Sequence, residues 1–183
     1  MENHCASIKN RFSTYMAEEK LFLENDFAKS DNINQLINKH FSGEIGLLSI
    51  DIDGYDYEVW KAIDCVSPRI LILEYNSTYP PPVKWHIPYD KAYFWAGDNY
   101  FGMTLSDAVA LSNSKGYILV GTDLQGINAF FIRKDIFESC KDRFPYLLDE
   151  KSLYNFPNYH LLPYFTGHRN SMRYPKMYQN EDA

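Results

Sequence analysis

Leu47-Leu48-Ser49-Ile50-Asp51-Ile52-Asp53-Gly54-Tyr55-Asp56-Tyr57-Glu58-Val59-Trp60 is the stretch whose reading decides the fold. Gly46 to Ile52 is apolar until acids arrive at its end, the pattern of a central strand buried on both faces. After Gly54 the spacing changes, because Tyr57, Trp60, Lys61 and Ile63 fall at helical intervals. A strand that turns directly into a helix places Asp51, Asp53 and Asp56 at its carboxyl end, where open α/β sheets bind ligands. A plainer reading makes Asp53-Gly54 a turn and Asp56 a first-turn helix residue favoured by the dipole. Asp51 fits that reading less well, since a carboxylate inside a hydrophobic strand is costly to bury without a partner.

Outward from this stretch, Arg69-Ile70-Leu71-Ile72-Leu73-Glu74-Tyr75-Asn76 is a second buried strand, also acid-tipped. Strand, helix and strand with a short crossover predict a βαβ unit with the two strands parallel and adjacent. Upstream, residues 3–16 read as a helix and Leu21-Phe22-Leu23 as a short strand. Ser30-Asp31 reads as an N-cap for a helix carrying Ile33, Leu36 and Ile37. Downstream, Ser77 to Gly102 is a long irregular stretch rich in aromatics, a length that points to function. Thr104-Leu105-Ser106-Asp107 is a capping box, and Gly116 stands at the end of its helix. Tyr117–Gly121 and Asn128–Arg133, joined by Asp123-Leu124-Gln125-Gly126, predict a hairpin. Beyond Asp135 the pattern weakens, and residues 144–183 read as an irregular Tyr- and Pro-rich arm.

The chain has 183 residues, 45% of them apolar and 16% aromatic, which suits one domain with a sizeable core. A net charge of −6 argues against nucleic acid as a partner. Cys5, Cys65 and Cys140 are far apart and form no CxxC pair, so neither a disulfide framework nor a zinc knuckle is expected. No apolar run approaches a membrane span and the first residues lack a signal-peptide core, so the expected location is cytoplasmic.

Asp51, Glu74 and Asn76, at the ends of neighbouring parallel strands, are hard oxygen ligands that could converge on Mg²⁺ or a similar cation. The competing reading has Glu74 and Asn76 hydrogen-bonding loop backbone. A calcium-binding EF-hand fails, because Gly54 is at the fourth loop position rather than the sixth and Ala62 stands at the twelfth. A haloacid-dehalogenase-like phosphatase start, Asp-x-Asp-Gly-Thr, is an alternative in which Tyr55 replaces the phosphate-binding Thr. His4, His40, His86, His160 and His168 are scattered, and only His86 falls near the strand ends.

Leu48-Ser49-Ile50-Asp51-Ile52-Asp53-Gly54, Asp56-Tyr57, Val59-Trp60, Ile72-Leu73-Glu74-Tyr75-Asn76, Gly116-Tyr117 and Asn128-Ala129-Phe130-Phe131 together resemble the FkbM-type methyltransferases. The resemblance covers roughly residues 20–135. It implies a Rossmann-like sheet of parallel core strands plus a C-terminal antiparallel hairpin. It also implies S-adenosylmethionine as cofactor and a small-molecule or glycan hydroxyl as acceptor. On that mapping Leu21–Leu23 is the third strand, Gly46–Ile52 the fourth and Arg69–Glu74 the fifth. Asp51 lies by the methionine end of the cofactor, Asn25, Asp26 and Phe27 lie near its adenine, and Glu2 is a remnant of the ribose acid. Asp51 and Asp53 are then the catalytic candidates, and Asp51, Glu74 and Asn76 the ligands of Mg²⁺ or Mn²⁺.

The sequence departs from the family in having no glycine before Gly43, and so no glycine-rich cofactor loop. The expected domain is therefore N-terminally truncated, a partial methyltransferase domain over 1–143 followed by the arm over 144–183. Its fourth strand would have a bare edge, and the N-terminal segment 17–27, with Leu21–Leu23 as its strand, is expected to pair beside it, the alternative being a second copy in a homodimer. A rival function of another class follows: a non-catalytic interaction protein on a remnant methyltransferase fold.

Overall fold

A computed structural model of the chain describes residues 2–90, 93–146, 148–159 and 167–171, the side chains of Glu2 and Asn3 excepted. In chain order it has α1 (Glu2–Arg11), α2 (Ser13–Ala17), α3 (Ile33–Asn38), β1 (Gly43–Ile50), α4 (Asp56–Ala62) and β2 (Val66–Glu74). These are followed by α5 (Leu105–Ser114), β3 (Tyr117–Thr122), β4 (Asn128–Arg133), α6 (Lys134–Cys140) and α7 (Glu150–Leu153). The class is α/β, with one four-stranded mixed sheet in the order β1-β2-β4-β3. β1 and β2 are parallel, with Leu47 opposite Ile70 and Ile50 opposite Leu73. β4 returns antiparallel to β2, and β3 flanks β4.

One sheet face carries Leu71, Leu73, Ala129, Phe131 and Leu119 into the core, against Val59 and Trp60 of α4 and Leu105 and Ala108 of α5. Trp60 is 1% exposed; its indole N–H donates to Ser112 Oγ at 3.2 Å, and its ring meets Tyr117 edge-on at 5.4 Å. Burying each large apolar side chain contributes about 1.5–3 kcal/mol. The Thr104 side chain accepts the Asp107 N–H, the N-cap half of the expected capping box. The reciprocal half does not form, because the Thr104 N–H donates to Trp85 O and the Asp107 carboxylate is engaged by His86. Gly116 ends the turn with φ 87°.

Four expectations need correction. The first strand is at the sheet edge, not its centre, and runs from Gly43 to Ile50; Leu47 is 52% exposed and Ile70 beside it 39%. Leu21–Leu23 is not a strand and does not cover that edge. Instead the Lys20 and Leu21 N–H groups close on Tyr15 O at the end of α2, Phe22 stacks on His40 at 4.3 Å, and Glu24 pairs with Lys39 and His40. The helix over 3–16 breaks at Phe12, which serves as N-cap of α2. Asn32, not Ser30-Asp31, stands at the N-cap position of α3, and its side chain ties the preceding turn rather than the helix: Oδ1 accepts the Lys29 N–H at 2.8 Å and the amide donates to Phe27 O at 2.9 Å. Among the described residues no helix is long and apolar enough to cross a membrane.

Candidate functional site

Because β1 and β2 are parallel, Asp51, just past β1, and Glu74, the last residue of β2, emerge at the same end of the sheet. Asp53 joins them from the following turn with φ 54°, a left-handed conformation that Asp tolerates better than most residues. One carboxylate oxygen from each of Asp51, Asp53 and Glu74 lies within 4.8 Å of the others.

Asp56 supports this triad from behind. It opens α4 and is fully buried, and its two oxygens accept the N–H of Ile52 and of Gly54, each at 3.1 Å. Burial pushes its carboxyl up to about 6, against the pull of those N–H groups. Glu74 is pushed further, up to about 9, first by burial and then by the charges of Asp56, Asp51 and Asp53. Its Oε2 is buried and has no hydrogen-bond partner among the described residues. Desolvation and then the Asp53 charge raise Asp51. Acids this close resist ionising together, and a hard divalent cation would let them.

Asn76 is not turned to such a role. Its amide donates to Asn99 O at 2.8 Å and Phe101 O at 3.0 Å, and its Oδ1 accepts the Thr78 N–H at 3.1 Å. It clamps the aromatic loop, the alternative the sequence had left open for it. Of the residues expected near adenine, Asp26 and Phe27 line an open cleft of about 800 Å³ that is also lined by Ile52 to Tyr55, by Tyr89 and Asp90, and by Tyr93 to Trp95. Asn25 instead accepts the Cys5 thiol at 3.3 Å. Glu2 begins α1, and its side chain lies outside the described residues.

The arm contributes residues to this region that sequence reasoning missed. The Tyr154 hydroxyl donates to Ser77 O, and the Tyr75 hydroxyl to Asn155 O at 3.0 Å, so residues 153–156 close over the end of β2. The His168 ring meets Trp95, Phe101 and Tyr159 at centroid distances of 5.3, 5.0 and 5.2 Å. Burial lowers its pKa, opposed by the charges of Asp53 and Asp98. No periodicity or spacing in the arm announces these contacts. Arg169 and Ser171 hold the same segment to the aromatic loop through Ala96 O and Asn99 Oδ1, each at 2.8 Å.

Compared with known proteins, the chain matches no family model, no curated protein and no solved structure.

Proposed function

We propose that this chain is a methyltransferase-type protein, S-adenosylmethionine-dependent in its class, whose own residues form the cation- and acceptor-binding side of a site for transfer to a small-molecule or glycan hydroxyl. The observation that carries the reading is the sheet: a parallel β1-α4-β2 unit with a hairpin folded back beside β2, and Asp51, Asp53 and Glu74 gathered at its carboxyl end.

The acids suit Mg²⁺ or Mn²⁺, since hard oxygens converge and one Glu74 oxygen is buried without a partner. A bound divalent cation supplies Lewis acidity that lowers the pKa of a hydroxyl at its open positions. Asp51 and Asp53 are the exposed members of the triad and stand where an acceptor hydroxyl would approach, so either carboxylate can take up its proton. Asp56 keeps the turn in place, and Tyr154 and Asn155 shield the end of β2 from water.

The fit to S-adenosylmethionine is narrower. Asp26, Phe27 and Asp53 give the cleft an acidic and aromatic wall, but no glycine-rich turn precedes Gly43 in the sequence. These residues alone therefore bind the cofactor weakly. The test is an NMR titration of the chain with S-adenosylmethionine in the presence of Mg²⁺. Weak binding with amide shifts at Asp26, Phe27 and Asp53 is the expected result, and no shift at any of them would remove the reading.

A non-catalytic interaction role is the second reading, and Leu47, exposed on the edge strand β1 beside the exposed Ile70 of β2, favours it. The phosphatase alternative loses ground at Tyr55. Its hydroxyl is engaged with the Asp90 backbone, donating to the carbonyl at 2.5 Å and accepting the N–H at 2.8 Å, where a phosphate ligand would be needed.

A further inference from the structure

We infer that the cleft beside the acids binds an organic cation with a flat or alkyl body, an amine-bearing ligand rather than an anionic or neutral one. Among the described residues five carboxylates, Asp26, Asp31, Asp53, Glu58 and Asp90, line it against one cation, Lys29. Glu58 faces Lys61 at 4.0 Å, whereas Asp26, Asp31 and Asp53 form no ion pair among the described residues. Asp51 and Glu74 lie directly behind Asp53 and carry charge of the same sign when ionised. A cleft lined by one sign of charge focuses its potential, raising the local concentration of the opposite charge and repelling phosphates and carboxylates.

The aromatic part of the lining supplies the second half of the recognition. Phe27, Tyr89 and Phe94 are 59%, 52% and 82% exposed, a large apolar surface to leave in water beside that charge. Aromatic faces attract cations through their quadrupole, so the two features select the same ligand. This wall is seated, not loose. Tyr55 packs on Tyr89 at 5.2 Å and on Tyr93 at 5.3 Å, and a Cβ on Gly54 would come within 3.0 Å of the Tyr93 ring. The Asp53-Gly54 turn thus carries both the acid and the footing of the aromatic wall. A neutral ring would stack on the same aromatics but leave Asp26, Asp31 and Asp53 without an ion pair among the described residues, and so charge decides the ligand class. Only the role of this ligand as methyl acceptor rests on the reading above; the preference for a cation stands on the lining alone.

The experiment is an NMR titration of the full chain with benzyltrimethylammonium, benzyl alcohol and benzoate at low and high salt. The ammonium compound should bind about tenfold or more tightly than the alcohol, with shifts at Phe27, Tyr89, Phe94 and Trp95, and benzoate should not bind. Added salt should weaken ammonium binding. Phe94→Ala and Asp31→Asn, both at exposed positions, should each lower the affinity several-fold, about fivefold, with the melting temperature unchanged. Equal binding of the alcohol, binding of benzoate, or no ammonium shifts at these four residues would overturn the inference. Ammonium binding without any S-adenosylmethionine binding would uphold it while removing the methyl-transfer reading, and the reverse outcome would do the opposite.

Discussion

The Asp56 carboxylate accepts the backbone N–H of Gly54 at 3.1 Å, so the first residue of α4 holds in place the turn that displays Asp53. A second bond at 3.1 Å from the Ile52 N–H makes the brace two-pronged. Asp56→Ala should cost about 3 kcal/mol, because two backbone donors lose a charged acceptor inside the protein. Asp56→Asn keeps one acceptor oxygen and should recover about half of that loss. Urea unfolding of the two variants measures both. Equal and negligible losses would mean the turn holds itself.

The same acids make stability depend on pH in an unusual sense. Burial pushes Asp56 up to about 6 and Glu74 up to about 9 in the folded chain, whereas unfolded carboxyls titrate near 4. The folded state therefore keeps protons that the unfolded state releases. Their stabilisation is full below about pH 4 and is lost as pH rises through about 6 for Asp56 and about 9 for Glu74. Glu24, Asp135 and Asp149, lowered mainly by hydrogen bonds from Lys39, Arg133 and Ser152, act in the opposite sense only in acid. Without added metal, the melting temperature should rise from about pH 9 down to about pH 5, and Glu74→Gln should flatten the alkaline part. A melting temperature that climbs with pH over that range would contradict this.

Much of this arrangement is legible in the residues, and the gaps have physical causes. Thr104 as N-cap, Gly116, and Asp123 to Gly126 are local devices whose spacing suffices, and each forms as expected, whereas Asp107 turns to His86 instead of closing the capping box. The parallel β1-β2 pair follows from strand, helix and strand with a short crossover. An apolar run such as Leu47 to Ile50, however, reads the same at the centre of a sheet and at its edge, since the difference lies in a neighbour. Leu21–Leu23 is too short for its alternation to settle strand against helix-end packing, and the contacts of Phe22 with His40 decide it. Asn76 has the chemistry of either a ligand or a clamp, and only its orientation separates them. Tyr154 and His168 reach the site by contacts of long sequence separation, which no local pattern encodes.

The arm depends on Gly126. With φ 72° and backbone oxygens of Phe156 and Asn155 only 2.6 and 2.8 Å from where a Cβ would be, no side chain fits there. Gly126→Ala should destabilise by about 2 kcal/mol or more and release the arm from the sheet. Limited proteolysis should then cut within residues 150–159 first. An arm equally resistant in the variant would show that Gly126 is dispensable.

Among the described residues nothing pairs with the outer side of β1, which predicts association. Leu47 and Ile70 are exposed side by side, and the strand's Glu44 is engaged by Arg133 at 2.6 Å, leaving Ile45 to Ile50 without a charge to repel a partner strand. Sedimentation should show the chain self-associating as its concentration rises, and Leu47→Lys should reduce this. A wild-type chain that stays monomeric throughout would remove the edge from consideration.

The central claim is that Asp51, Asp53 and Glu74 form a divalent-cation site, and calorimetric titration with Mn²⁺ in two buffers of different ionisation heat tests it most directly. Because Glu74 is raised to about 9, cation binding near neutral pH must displace its proton. Mn²⁺ should bind with close to one proton released, more tightly as pH rises, and Asp51→Asn should abolish the binding. No heat from the wild-type chain, or binding with no proton released and none lost in Asp51→Asn, would contradict the account.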